Sequence, residues 1–279
     1  MILRALVLLI VSLNFIQLAW AESKPKFIVL APHIVEMFYE IGAGEQIIGT
    51  TEHSDYPESA KAIPRIGNYA NLQIERILQL KPDHIIAWKS GNPDEDLKRL
   101  ARLGINLKYS NPNSIESVAQ EILYFGGLSG HQTQARIVAD KYLAQYKQLV
   151  NKYKNKKPVK IFYQLWTSPL TTVSNNAWPL QLIRTCQIDN LFDNLIGDYP
   201  HISKEQIIVG KPEIIIIPTS NSEPNGSVTD WNRYTSIPAV QNKQVLTVNS
   251  DKLHRMTPRA IDELAVTCEL IEKYRISTQ

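Results

Sequence analysis

The feature that most constrains this chain is a repeat with a long helix between its two copies. Ile74-Glu75-Arg76-Ile77-Leu78-Gln79-Leu80-Lys81-Pro82-Asp83-His84-Ile85-Ile86 aligns without a gap on Lys204-Glu205-Gln206-Ile207-Ile208-Val209-Gly210-Lys211-Pro212-Glu213-Ile214-Ile215-Ile216, an offset of 130 positions from 74 to 204. Each copy spells a short amphipathic segment, a Lys-Pro pair that ends a helix, and an apolar β-rich run. Between the copies, His131 to Lys154 is built of good helix formers. Ile137, Tyr142, Tyr146 and Leu149 are spaced for one face there, and no Gly or Pro occurs before Pro158. Two similar α/β units flanking one rigid strut are the expected result.

The remaining periodicity agrees. Strands are expected over 27–31, 47–51, 84–88 and 107–110, alternating with helices over 34–41, 74–80, 94–103 and 115–125. Gly126-Gly127 and Gly130 are expected to break the pattern. The α/β alternation resumes with a strand over 160–165 and a helix over 179–185. Strands over 214–217 and 245–248 and a closing helix over 258–274 complete it. This order predicts an α/β fold of two similar lobes with mostly parallel central sheets, helices on both faces, and one long helix joining the lobes. The expected boundaries are a leader over 1–21, an N-terminal lobe over 22–128, the linking helix over 129–157 and a C-terminal lobe over 158–279.

The leader has the parts of a secretory signal peptide. Arg4 precedes an apolar run from Ala5 to Ile16, and Ala19-Trp20-Ala21 offers a small-x-small site with cleavage after Ala21. The run falls short of the roughly 20 apolar residues of a spanning helix. No cysteine lies near the cut, which argues against a lipid anchor. In an exported, oxidising compartment Cys186 and Cys268 most simply pair, with a free thiol or a metal pair left open by spacing alone. Charge is nearly balanced, 30 basic residues against 27 acidic. The longest basic run is Lys154-Asn155-Lys156-Lys157, so no nucleic-acid footprint is present.

A two-lobed α/β protein places its site where loops at the carboxyl ends of the strands converge. Those ends offer Pro32 and His33, then Glu52 to Pro57 with His53 among them, then Tyr69 and Trp88. The second unit offers Trp166, Tyr199 with His201, and Asp251 through Arg255. A ring of aromatics and histidines with few fixed charges suits a large, flat, partly apolar ligand better than a sugar or a phosphate. Trp178 and Trp231 are expected to be structural, since neither falls at a strand end. His33, His53 and His254 raise a metal reading, but no H-x-H or H-E-x-x-H spacing supports it. No G-x-S-x-G elbow, phosphate loop, G-x-G-x-x-G or S-x-x-K with K-T-G occurs, so catalysis is not indicated.

These residues carry a family likeness. His53-Ser54-Asp55-Tyr56-Pro57, then Gly67 to Ile77, then Leu80-Lys81-Pro82-Asp83-His84-Ile85-Ile86-Ala87-Trp88, resembles the periplasmic cobalamin-binding proteins. These are the vitamin B12 members of the substrate-binding proteins that serve ATP-driven (ABC) importers. Ser203-Lys204-Glu205-Gln206, the cysteine pair, and Asp251 with Arg255 and Pro258-Arg259 extend the likeness over the whole mature chain. The resemblance implies a class III periplasmic binding protein, not an enzyme, that holds a corrinoid in the cleft and needs no cofactor. It implies ligand contacts from His33, His53, Tyr69 and Trp88 in the first lobe, and from Trp166 or Leu165, Tyr199, Asp251 and Arg255 in the second. It also implies that Glu75 and Glu205 dock a monomeric carrier on arginines of a twofold membrane permease with its ATPase. Four positions depart from the family pattern. The family has tryptophan at Tyr69 and Tyr199, tyrosine at His53, and a small residue at His33. A His53 or His33 facing the cobalt is able to coordinate it. Two rival readings stay open: a haem or ferric-siderophore binder on the same scaffold, and an exported hydrolase whose residues converge only in the fold.

Overall fold

The computed structural model describes residues 24–220 and 230–277, so the expected leader over 1–21 lies outside the described residues. The first lobe runs β1 (Phe27–Val29), α1 (Pro32–Glu40), β2 (Ile47–Thr50), α2 (Ile74–Leu80), β3 (His84–Trp88), α3 (Asp94–Arg102), β4 (Leu107–Ser110) and α4 (Ile115–Ser129). Its sheet has the order β2-β1-β3-β4, and every pairing is parallel. Phe27, Ile28 and Val29 have no solvent exposure, as expected of a strand covered on both faces.

Helix α5 (Gln132–Tyr153) leads to the second lobe, which begins with β5 (Val159–Thr167), β6 (Leu170–Thr172), α6 (Trp178–Arg184) and β7 (Ile188–Asn190). It continues with α7 (Lys204–Gly210), β8 (Ile214–Thr219), α8 (Pro238–Gln241), β9 (Val245–Asn249), α9 (Ser250–Leu253) and α10 (Arg259–Ser277). Strands β7, β5, β8 and β9 pair in parallel and reproduce the first sheet's order. The second half of β5 takes an antiparallel partner in β6, which the periodicity did not signal.

The repeat is a piece of construction. Helices α2 and α7 are both seven residues long, and each ends on a lysine in the left-handed conformation: Lys81 at φ 49°, Lys211 at φ 48°. The proline that follows blocks the right-handed alternative. The acid after each proline then ties the strand it opens to the neighbouring strand. Asp83 donates its N–H to the Lys26 carbonyl at 2.9 Å, while its carboxylate accepts from the Lys26 N–H at 2.7 Å. Glu213 makes the same pair with Lys160, at 2.8 and 2.9 Å. The repeat thus fixes the register of β3 on β1 and of β8 on β5.

One expectation fails. Gly126 and Gly127 do not break α4, which runs on to Ser129 and stops at Gly130 with φ 78°. The reason is packing against α5. A β-carbon at Gly126 would stand 2.3 Å from the Ala135 β-carbon, so the glycine is needed for the two helices to approach. Cys186 and Cys268 form a disulfide between the end of α6 and the middle of α10, with Cα atoms 4.9 Å apart. This closes the choice that spacing left open.

The α4–α5 contact gives a paired test by denaturant unfolding. Gly126→Ala should destabilise the protein by about 1 to 3 kcal/mol through overpacking. Gly127→Ala has no heavy atom within 4 Å of the added carbon. It should be neutral or stabilise by up to about 1 kcal/mol.

Candidate functional site

The parallel strands of both lobes point their carboxyl ends into one crevice. Trp88 closes β3 on the first-lobe side, and on the second-lobe side stand Leu165 in β5, Trp178 and Pro179 opening α6, Tyr199, His254 and Met256. Together they line a cavity of about 280 Å³ that bridges the lobes. A second cavity of about 200 Å³ adjoins it and extends past Trp166 to the ends of β8 and β9. The cleft is therefore walled by aromatic rings, with Tyr199 52% exposed and Trp166 54% exposed. Such rings offer flat area for stacking and, at Tyr199, a polar edge.

The other expected residues take varied places. Tyr69 projects from a loop closed by the Asn68 side chain, which accepts from the N–H groups of Ala70 and Asn71. It is 79% exposed. His53 is exposed on a left-handed backbone at φ 65°. Asp251 lies within α9. His33 was expected on a loop but sits in the first turn of α1, because Pro32 opens that helix earlier than the apolar spacing suggested. It is 4% exposed and meets Trp88 in a T-shaped contact with ring centroids 5.1 Å apart. Ser110 Oγ lies 3.4 Å from its Nε2. Among the described residues no group of three or more metal-ligating side chains comes together.

Arg255 is engaged in a cross-lobe network. It donates to Glu36 Oε1 at 2.7 Å and to the His53 carbonyl at 3.2 Å, and it pairs with Asp55 at 2.8 Å. Arg259 donates to both oxygens of Glu36, at 2.5 and 2.9 Å, and its guanidinium lies 3.5 Å over the Tyr56 ring. Glu36, on α1 of the first lobe, is 1% exposed and receives both arginines from the second. Glu36 is not among the residues expected at the site, and Arg259 is expected only as part of the family likeness and not as a partner of Glu36. A lone carboxylate inside the apolar run Ile34-Val35-Glu36-Met37-Phe38 was the available signal. Trp178, expected to be structural, is packed in the hydrophobic core at 6% exposure with its Nε1 donating to the Leu253 carbonyl at 3.1 Å, and it also borders the cavity. Trp231 is buried in the second-lobe core and donates to Gln164.

Two histidines are kept neutral here. Burial, reinforced by the Arg255 charge, lowers the pKa of His33 from 6.5 to about 3. Burial lowers that of His254 to about 4 against the opposing pull of Asp251. Tyr163 Oη lies 2.7 Å from His254 Nε2 and holds the ring in place.

Two α/β lobes on one long helix, with an aromatic cleft between them, define a bilobed ligand carrier of the class III type. The sequence pattern of the family described as "Periplasmic binding protein" matches residues 28–252. The chain is 34% identical over 250 residues to the vitamin B12-binding protein of Vibrio campbellii, covering 90% of each. It is 31% identical over 266 residues to that of Yersinia pseudotuberculosis, covering 95% of this chain and 92% of the relative. The crystal structure of the periplasmic vitamin B12 binding protein BtuF of Vibrio cholerae superposes with a TM-score of 0.82 at 32% identity, over 90% of this chain and 98% of that one. The periplasmic haem-binding protein HutB of Vibrio cholerae shares the fold, with a TM-score of 0.77 at 22% identity over 88% and 98% of the two chains. This chain belongs to the periplasmic binding protein family.

His33 should leave a signature in acid. Below pH 6.5 the unfolded histidine takes up a proton that the folded one refuses until about pH 3, so the folded state loses ground as pH falls. The stability advantage over a His33→Gln variant should therefore narrow on acidification across that window, by up to about 1.4 kcal/mol per pH unit. Parallel pH–stability curves for the two proteins would remove His33 from this account.

Proposed function

We propose that this chain is an exported carrier that captures cobalamin in the cleft between its lobes and delivers it to an inner-membrane ABC permease. The observation that carries the reading is the cleft itself. Its walls are aromatic, and among the described residues neither cavity is lined by a Lys, Arg, Asp or Glu side chain. Arg255, the cation at the cleft floor, is neutralised by Glu36 and Asp55. A dianionic porphyrin bearing two carboxylates finds no counter-charge in such walls, whereas a neutral, amide-fringed corrinoid needs none. The vitamin B12-binding relatives agree with this choice. Trp88, Trp166, Leu165, Trp178 and Tyr199 would supply the main contact area, with Tyr69 and His53 at the rim. Asp251, in α9 next to Ser250 of the cavity lining, would meet polar edges of the ligand from outside the two cavities. His33 is a positioning residue behind Trp88, and Arg255 belongs to the network that holds the lobes. No chemical step is involved, and the signal peptide over 1–21 would direct the chain to the periplasm.

Delivery needs a receptor surface, and the two copies of the repeat supply one on each lobe. Glu75 and Glu205 occupy equivalent places in the first turns of α2 and α7 and are both exposed. Glu75 pairs with Arg99 at 3.0 Å, an exchangeable surface contact. Glu205 is held ionised below the usual carboxylate range by its own backbone N–H and by Ser203. A quasi-twofold pair of carboxylates suits a twofold permease presenting arginines. The Glu75→Lys/Glu205→Lys double variant should abolish uptake in cells while leaving the dissociation constant for cobalamin unchanged; a loss of affinity would sink the docking role.

Titration calorimetry against cyanocobalamin, haemin and a ferric siderophore tests the ligand. Binding of cyanocobalamin with sub-micromolar affinity and tenfold or greater weakening by Trp88→Ala is the expected outcome, about 1.4 kcal/mol or more for one large ring. Preference for haemin would instead favour Tyr69 and the histidines as an iron-facing set.

A further inference from the structure

The cleft has a compartment that its aromatic wall does not explain. The cavity of about 200 Å³ lies at the carboxyl ends of β5, β8 and β9, divided from the ring-lined one by Leu165 and His254, which line both. Its far side presents the hydroxyl-bearing side chains of Thr219 and Ser250. These hydroxyls already donate to backbone: Ser250 Oγ to the Thr219 carbonyl at 3.0 Å, and Thr219 Oγ1 to the Val248 carbonyl at 3.4 Å. With the hydrogens engaged, each oxygen keeps lone pairs and acts as an acceptor. His254 adds no positive charge at neutral pH, since burial lowers its pKa to about 4.

This arrangement is selective by chemistry. The Gln164 amide in the same lining is already engaged, donating to Thr167 Oγ1 at 3.0 Å and accepting from Trp231 Nε1 at 2.7 Å. A carboxylate set against Thr219 and Ser250 would therefore meet acceptor oxygens, with no cation among the described lining residues, and would lose hydration without full replacement. A primary carboxamide brings two N–H donors to the same oxygens. We propose that the compartment, through Thr219 and Ser250, is a specificity subsite for a primary carboxamide on the periphery of the macrocycle, and that it selects amidated ligands over the same ring carrying a carboxylate. The assignment deepens the cobalamin reading and rests on it.

Calorimetry with cyanocobalamin and with its singly hydrolysed derivatives, each carrying one peripheral carboxylate in place of a carboxamide, is the test. At least one monocarboxylate should bind the wild-type protein about tenfold or more weakly than the parent. Thr219→Val, which keeps the side-chain shape, and Ser250→Ala should each weaken cyanocobalamin by about five- to tenfold. Both should leave that monocarboxylate within about twofold of its wild-type affinity. Monocarboxylates that all bind within about twofold of the parent would overturn the assignment while leaving the ligand reading intact. Equal weakening of amide and acid by both variants would do the same. No binding of cyanocobalamin would defeat the ligand reading and this assignment with it. The wild-type comparison across ligands needs no variant, and it decides the matter even if a variant fails to fold.

Discussion

Glu36 sits almost fully buried on the first lobe with two guanidinium groups from the second closing over it. Removing one member of such a buried pair costs about 3 to 5 kcal/mol, because the remaining charge is left uncompensated. The network ties the lobes together beside the strut, where Arg259 shares a pocket wall with Gln134, Lys141 and Gln145 of the long helix. Tyr56 under Arg259 and the His53 carbonyl under Arg255 extend the contact along the cleft floor. The angle between the lobes, and hence the spacing of Trp88 from Trp178 and Tyr199, depends on this junction.

The same junction governs the electrostatics of the cleft. Arg255 is the second cause, after burial, of the lowered His33 pKa. A protonated His33 would place another cation beside it. Neutral His33 can therefore stay packed against the Trp88 ring, and the cation at the cleft floor is matched by carboxylates before any ligand arrives. A site walled by rings and hydroxyls, with its charges paired beneath it, discriminates by shape and hydrogen bonding more than by attraction.

The internal repeat adds a second layer of order. Each copy ends its helix on a left-handed lysine, turns through a proline and clamps the next strand with an acid. Both lobes thereby acquire the same strand order, and their first-turn glutamates, Glu75 and Glu205, take equivalent positions. The quasi-symmetry of the two lobes comes from the same local chemistry that sets the sheet register.

Local chemistry is also what made much of this legible. The helices over 74–80 and 94–102, the strands over 84–88 and 107–110, and the strut needed only periodicity, caps and prolines, which act within a few residues. Strand-end aromatics such as Trp88 and Trp166 were visible because parallel strands send their carboxyl ends to one crevice. The failures share a cause. Gly126 looks like a helix breaker until Ala135 is seen to need its space, and β6 exists only because β5 outruns its parallel partners. Trp178 reaches the cavity from a helix start that no strand announces. His33 turns inward behind Trp88, and Glu36 meets arginines more than 200 positions away. By itself, then, the sequence determined most of the elements, the two-lobed plan and the aromatic character of the cleft, since these follow from short-range pattern. The tertiary structure alone decided which charges face each other across the lobes and which rings line the cavity, because those depend on contacts between segments that no local spacing encodes.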